Sequence, residues 1–261
     1  MPATSRSALR IHQQAPCAAL RRIIKRFLVI EFPSLHRDAH LPETEAVAAF
    51  SFRGACQIDG VQLAPAAAIT GPRVFLRTHE HCHSHRVLLA IFTPIGAYSF
   101  LRSPLDDLAG STVGLADLVG RPDELLRLTE RLNITVKHHQ RIGLVEQFLL
   151  ARVQGSSPDL LMTAAVAWLE RGTTSKRIDD LARYIGLSQS ALERRFRRVI
   201  GVSPKKFYSL ARLKRAVRLQ ATGADLTTVA HASGYFDQSH FIKEFRQMTG
   251  SAPSAFFRHT T

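Results

Sequence analysis

IDDLARYIGLSQSALERRFRRVIGVSPKKFY, Ile178 to Tyr208, is followed after a short interval by DLTTVAHASGYFDQSHFIKEFRQMTGSAPSAFF, Asp225 to Phe257. The two stretches are one pattern written twice. With Gly186 set against Gly234, Leu181 meets Val229, Ala182 meets Ala230 and Ile185 meets Ser233. One added residue in the second turn then aligns Leu192 with Phe241, Phe196 with Phe245, Gly201 with Gly250 and Pro204 with Pro253. Recurrence of glycine, aromatic and proline positions together marks one supersecondary unit used twice.

Each copy reads as a helix-turn-helix. Ile178, Leu181, Ala182 and Ile185 recur at i, i+3, i+4 and i+7, which gives a short helix one buried face. Gly186 suits the turn. Ser188 caps a second helix to about Ile200, with Leu192, Phe196 and Val199 inward and Gln189, Ser190, Glu193, Arg194, Arg197 and Arg198 outward. Ser203-Pro204 opens a longer helix to about Gln220, a rod between the copies. Its starting basic residues, Lys205 and Lys206, suit a DNA backbone, and a solvated face accounts for others among Arg212, Lys214, Arg215 and Arg218. In the second copy Asp225 or Thr227 caps the first helix. Asp237 caps the next, with Phe241, Phe245 and Met248 inside and Gln238, Ser239, His240, Ile242 and Lys243 near the surface. Pro253 begins a final helix ending near His259. Upstream, Leu160 to Glu170 is a helix capped by Asp159 and stopped by Gly172, with Met162 and Trp168 in its core.

The charge agrees. The 261 residues carry a formal net charge of +14. Residues 159–261 hold 17 basic and 8 acidic residues against 18 and 13 in the first 158, so the excess is denser over the repeat. A polyanion is the expected partner, through phosphate neutralisation and counterion release. Cys17, Cys56 and Cys82 make no disulfide framework, which suits a reducing compartment. No apolar run reaches transmembrane length and no signal-peptide order is present. The cytoplasm is the expected location, with no membrane partner.

The repeat resembles the DNA-binding domain of the AraC/XylS family of transcriptional regulators. The resemblance rests on Ile178 to Ile185, GLS at Gly186 to Ser188, Leu192, Arg194 and Phe196 in L-x-R-x-F, GVSP at Gly201 to Pro204, and the run from Val229 to Phe257. Ala252 before Pro253 and His231 depart from the usual pattern without breaking either helix-turn-helix. The resemblance implies two reading helices, Gln189 to Val199 and Gln238 to Met248. Base-facing positions fall on Ser190, Glu193 and Arg194, and on Gln238, Ser239, His240, Ile242 and Lys243. Arg194 and Lys243 can donate to guanine, Gln238 can pair with adenine and Glu193 can accept from cytosine. Phosphate contacts fall on Ser188, Arg197, Arg198, Lys205, Lys206 and Arg246. Two such helices reach successive major-groove segments about 34 Å apart, so one chain can read an asymmetric site. The implied partners are double-stranded DNA, RNA polymerase, a small-molecule effector and a second copy of the chain.

The N-terminal half is written differently. Residues 1–15 are polar and mixed, and a frayed start is expected. Ala18 to Glu31 reads as a short helix, or as a helix leading into a strand. From Ala46 to Phe100, segments such as AVAAFSFRG, CQIDGVQLA and VLLAIFTPIG have the grammar of short strands with tight turns, expected to form a sandwich or barrel. Pro122 to Leu132 and Thr135 to Val153 read as helices, and GSSPD at Gly155 to Asp159 as a linker. LVGRPDELLRLTERL and QRIGLVEQFLLARV resemble the cupin-like N-terminal domains of bacterial regulators. The expected fold class is therefore a two-domain α+β protein. Residues 1–155 form a cupin-like β-barrel with trailing helices for sensing or dimerisation. Residues 159–261 form an all-α tandem helix-turn-helix domain, with motifs at 178–199 and 226–248. Leu144 to Val153 either dimerises or packs on its own barrel.

THEHCHSHR, Thr78 to Arg86, alternates His79, His81, His83 and His85. In one strand all four face one side, where neutral imidazoles bind a divalent transition metal. The alternative, which the residues favour, is an exposed histidine-rich edge or turn. No carboxylate partner is evident nearby, and His36 and His40 are distant in sequence. Apart from that metal no cofactor is expected. No phosphate loop, HExxH or GxSxG motif is present, so no residue set argues for an enzyme. The leading reading is a sequence-specific DNA-binding transcriptional regulator modulated by an effector or metal. The alternatives are a metal-dependent cupin-type enzyme domain fused to a DNA-binding module, and a nucleoid or RNA-binding protein without sequence preference.

Overall fold

Strand structure begins sooner than the polar start of the chain suggests. A computed structural model describes residues 9–62, 67–153, 155, 158–171 and 177–258. Within them Arg10–Gln14 forms β1, an edge strand paired antiparallel to β2, Ile24–Phe32. Of the two readings of Ala18 to Glu31, the second holds in outline: one 3-10 turn at Ala18–Leu20 leads into the strand β2. The strand alternates its apolar residues: Ile24, Phe27, Val29 and Phe32 are buried. The β-branched run from Val29 decides this against the helical spacing before it.

Seven of the remaining strands follow in order: β3 His36–His40, β4 Val47–Arg53, β5 Cys56–Ile58, β6 Val61–Gln62, β7 Ala67–Thr70, β8 Arg77–His81 and β9 His85–Phe92. After α1, Gly96–Leu101, comes β10, Thr112–Gly114. They make a six-stranded sheet ordered β1-β2-β9-β4-β7-β10 and a four-stranded sheet ordered β3-β8-β5-β6. All pairs are antiparallel. The expected closed barrel is corrected: among the described residues no pairing joins the outer strands, and two open sheets face one another. The β5–β6 hairpin turns through Asp59 and Gly60, both at positive φ, as a two-residue Asp-Gly loop requires.

Period-two alternation gives the large sheet two apolar faces. Phe27, Val29, Ala48, Phe50, Leu88, Ala90 and Phe92 point into a core with the helices α2 Leu115–Val119, α3 Pro122–Ile134 and α4 His138–Val153. Ile142, Val145, Phe148, Leu149 and Val153 of α4 are all buried there, so its apolar side packs on its own sheet. Residues Leu28, Ile30, Val47, Ala49, Val87, Leu89 and Ile91 line a cavity toward the small sheet instead.

The C-terminal part is all helix: α5 Leu160–Glu170, α6 Ile178–Ile185, α7 Gln189–Ile200, α8 Pro204–Gln220, α9 Leu226–Ala232, α10 Gln238–Thr249 and α11 Pro253–Arg258. The stop at Gly172, the middle of the linker and the end at His259 lie outside the described residues. Each helix-turn-helix has its own core. Leu181, Ala182, Ile185, Leu192, Phe196 and Val199 pack with α5 and Phe207. Val229, Ala230, Phe241, Phe245 and Met248 pack with Leu210 and Leu213.

The two halves are docked. Gly201, at φ +89°, lies where a Cβ would sit 2.9 Å from the Leu105 carbonyl oxygen and 3.2 Å from Pro72 Cγ. The Leu105 amide donates to the Arg198 carbonyl oxygen at 2.9 Å, and the Leu76 amide to that of Met248 at 3.2 Å. Glu45, 4% exposed, accepts from Lys214 of α8 at 2.7 Å and from Lys25 at 2.6 Å. Burial alone would raise the Glu45 carboxyl, but the two ammonium groups outweigh it and hold the pKa at about 2. A carboxyl depressed by folding contributes stability above its unfolded range, and that contribution fades as pH falls toward the folded value. Docking is therefore expected to weaken between about pH 4.5 and pH 2. Urea midpoints should fall less over that window in Glu45→Gln than in the parent, and equal slopes would count against this pair.

Candidate nucleic-acid interface and a histidine-lined cavity

The two helices expected to read DNA are built alike. Ser188 Oγ accepts from the Ala191 amide at 3.3 Å and starts α7. Asp237 accepts from the His240 amide at 2.7 Å and starts α10. Both helices end on a glycine in the left-handed region, Gly201 and Gly250, so each is capped at both ends. Asp225 rather than Thr227 caps α9, and Ser203 caps α8.

Burial fixes which way each helix faces. Leu192, Phe196 and Val199 are inward on α7, as are Phe241, Phe245 and Met248 on α10. The outward faces hold Ser190, Glu193, Arg194 and Arg197 on one helix and Ser239, Ile242, Lys243 and Arg246 on the other. Ser190, Arg194, Arg197, Ser239, Lys243 and Arg246 are exposed, and Glu193 and Ile242 are half-buried. These quartets are equivalent in the repeat, and each follows i, i+3, i+4, i+7. A serine, a cation and an arginine recur in both, and only the second position differs. Gln238 is half-buried, its Oε1 accepting from the Thr227 hydroxyl at 3.0 Å. His240 is exposed, 3.4 Å from Glu244.

The cations divide into two groups. Arg198 and Lys205 are exposed. Lys206 borders the same groove as His240 and Lys243, with its ammonium 5.3 Å from the centre of the Phe75 ring. Other cations are spent inside the protein. Arg195 forks onto Asp159, at 2.8 and 3.1 Å. Arg212 is buried, with bonds to the Gly234 carbonyl oxygen at 3.2 Å and Glu244 at 2.5 Å. Lys214 holds Glu45, and Arg215 donates to the Glu170 carbonyl oxygen at 2.9 Å. The rod is thus basic in sequence, but Arg212, Lys214 and Arg215 in its middle are held by the protein itself, and the exposed charge lies at its two ends, at Lys205 and Arg218.

The histidine run is not one strand. It bends at Cys82 to Ser84, with Ser84 at φ +59°. His79 and His81 lie on β8 and His85 opens β9, while His83 is exposed in the turn and leaves the group. The small sheet supplies what the sequence did not show. β3 pairs with β8 so that Asp38 lies opposite His79. Ligand atoms of Asp38, His40, His79 and His81 all fall within 4.8 Å of one another. They border a cavity of about 230 Å³ whose far wall is the apolar face of the large sheet. Phe32 stacks on the His81 ring at 3.7 Å. His81 Nδ1 meets His85 Nδ1 at 2.9 Å, and His85 Nε2 meets Ser51 Oγ at 3.1 Å. Burial holds His79 down at about 3 and His85 at about 4, so both are neutral at pH 7. For Asp38, burial pushes upward, but its bonds and charge interactions with His40 and His81 prevail and keep it ionised.

Residues 181–259 match the family described as a helix-turn-helix domain. The paired, capped helices and this match define the C-terminal part as a tandem helix-turn-helix. That part is similar to the helix-turn-helix domains of AraC-type transcriptional regulators. It is 32% identical over 98 residues to the HTH-type transcriptional activator RhaS of Pectobacterium carotovorum, covering 37% of this chain and 35% of that protein. It is 27% identical over 195 residues to the arabinose operon regulatory protein of Escherichia coli, covering 70% of this chain and 62% of that protein. The chain therefore spans less than two thirds of the length of these relatives. ToxT from Vibrio cholerae aligns at a TM-score of 0.47 with 15% identity, over 88% of this chain and 97% of that one. Among the described residues no helix is long and apolar enough to cross a membrane.

Proposed function

We propose that the chain is a sequence-specific DNA-binding transcriptional regulator whose N-terminal cavity holds the effector. The observation that carries this is the pair of equivalent outward faces on α7 and α10, each capped at both ends and carrying a serine, a cation and an arginine. Ser190, Glu193 and Arg194 read one groove segment. Gln238, Ser239, His240, Ile242 and Lys243 read another. Arg197, Arg198, Lys205, Lys206 and Arg246 hold phosphates beside them, with the Ser188 hydroxyl at the start of α7. RNA polymerase is a second macromolecular partner of this reading where the regulator activates. The functional division falls at residues 155–159, between a sensing half and a reading half.

Selection of genomic fragments by the purified full chain tests the reading. One family of sequences should be enriched over random DNA, and no enrichment would overturn it. Binding to the enriched site should fall steeply with salt. Replacing Arg197 or Arg246 with alanine should lower the slope of log K against log salt by about one each, without changing which sequence is preferred.

A further inference from the structure

We propose that Asp38, His40, His79 and His81 form a divalent transition-metal site whose occupancy is transmitted to the reading helices through residues 71–78. Four observations point to a metal rather than a polar patch. The donor set is three imidazoles and one carboxylate, which suits a first-row ion such as zinc. The ligand atoms converge within 4.8 Å. His79 Nε2 is buried with no hydrogen-bond partner among the described residues, and His40 Nε2 and His81 Nε2 crowd Asp38 Oδ1 at 3.2 and 3.7 Å, so the donor atoms converge where a cation would sit. The fourth is the support behind His81. With Nε2 given to a metal, the His81 Nδ1 proton is donated to His85 Nδ1, and the His85 Nε2 proton to Ser51 Oγ. Metal-binding histidines are commonly oriented by such a relay from the second ring nitrogen. His85 is thus a positioning residue and His83 has no part.

The route to the DNA-binding half follows from chain continuity. The strand bearing His79 and His81 starts at Arg77, and the residues just before it grip both helix-turn-helix units. Pro72 lies against Gly201, at the end of α7. Val74 packs against both C-terminal cores. Phe75 lies under Lys206, and the Leu76 amide bonds to the Met248 carbonyl oxygen at the end of α10. Asp59 then ties Thr78 and Arg77, at 2.9 and 2.8 Å. A cation that draws β3 and β8 together acts on the strand that leads straight into this grip. This transmission rests on the regulator reading; the metal site itself does not.

The test uses the full chain, stripped with chelator and titrated with Co²⁺ and Zn²⁺, without DNA. One ion per chain is expected, with the visible absorption of Co²⁺ bound in a nitrogen- and oxygen-ligated site. The double variant His40→Ala/His79→Ala should lose it, while His83→Ala should bind as the parent does. His85→Phe should keep the stoichiometry and bind about 10- to 100-fold more weakly. Absence of binding by the parent protein, or unchanged binding by the folded double variant, overturns the site. Hydrogen exchange with and without Zn²⁺ tests transmission: the Leu76 and Leu105 amides should exchange more slowly when loaded. Metal binding that leaves both amides unchanged overturns the transmission and leaves the regulator reading untouched.

Discussion

Arg194→Ala is expected to weaken binding to the selected DNA site by about 1–3 kcal/mol, roughly five- to 150-fold, and to relax preference at one base pair. Arg194 is exposed in the middle of the outward face of α7. Lys243→Ala should show the same behaviour at a different position of the site, because Lys243 is the equivalent cation of α10. The contrast with Arg195→Ala is informative. That guanidinium already forks onto Asp159, so its loss should loosen α5 against α7 and leave sequence preference alone. Anisotropy at fixed salt against the selected site, its single-base variants and random duplex separates these cases. Equal losses on every duplex would reassign Arg194 to phosphate contact.

Arg212→Ala should cost about 3–5 kcal/mol of stability, the usual penalty for breaking a buried pair by removing one partner. The guanidinium is 9% exposed and lies 5.0 Å from the Tyr208 ring centre and 4.4 Å from that of Tyr235. It bonds to the Gly234 carbonyl oxygen in the second turn and to Glu244 on α10, so it fixes α10 against α8. Its removal strands the Glu244 carboxylate in a mostly buried position. Arg212→Met combined with Glu244→Leu should recover much of the loss, since no charge is then left unpaired. Urea denaturation measures both variants; a cost below about 1 kcal/mol for Arg212→Ala would show that the pair is dispensable.

These two arginines show what the sequence could and could not tell. The helical half was legible because its signals are local: Ser188, Asp237, Gly201 and Gly250 sit within a helix length of the apolar positions they bracket. Arg194 and Arg212, however, look alike in sequence. What separates them is a partner more than thirty residues away, Glu244, and no periodicity reports such a contact. The same limit governed the N-terminal half. His36–His40 contains almost no apolar residue, so nothing marked it as a strand, and only its pairing with β8 brings Asp38 to His79. The alternation of the histidines was misleading for a local reason. Ser84 adopts positive φ and turns the chain, which sends His83 to solvent and returns His85 to the cavity on a different strand.

The grip of Pro72, Val74 and Leu76 on the ends of α7 and α10 has a consequence for how the DNA site is measured. A gauge with two jaws holds its opening only while the frame is attached. Residues 71–76 are part of that frame, and they belong to the opposite half of the chain. The helical half on its own keeps both jaws and the rod between them, but loses one of the two elements that set their separation. Sites selected with that fragment would then tolerate a wider range of spacings between the two half-sites than sites selected with the whole chain. On the regulator reading, spacing more than base identity is what the N-terminal half is expected to set.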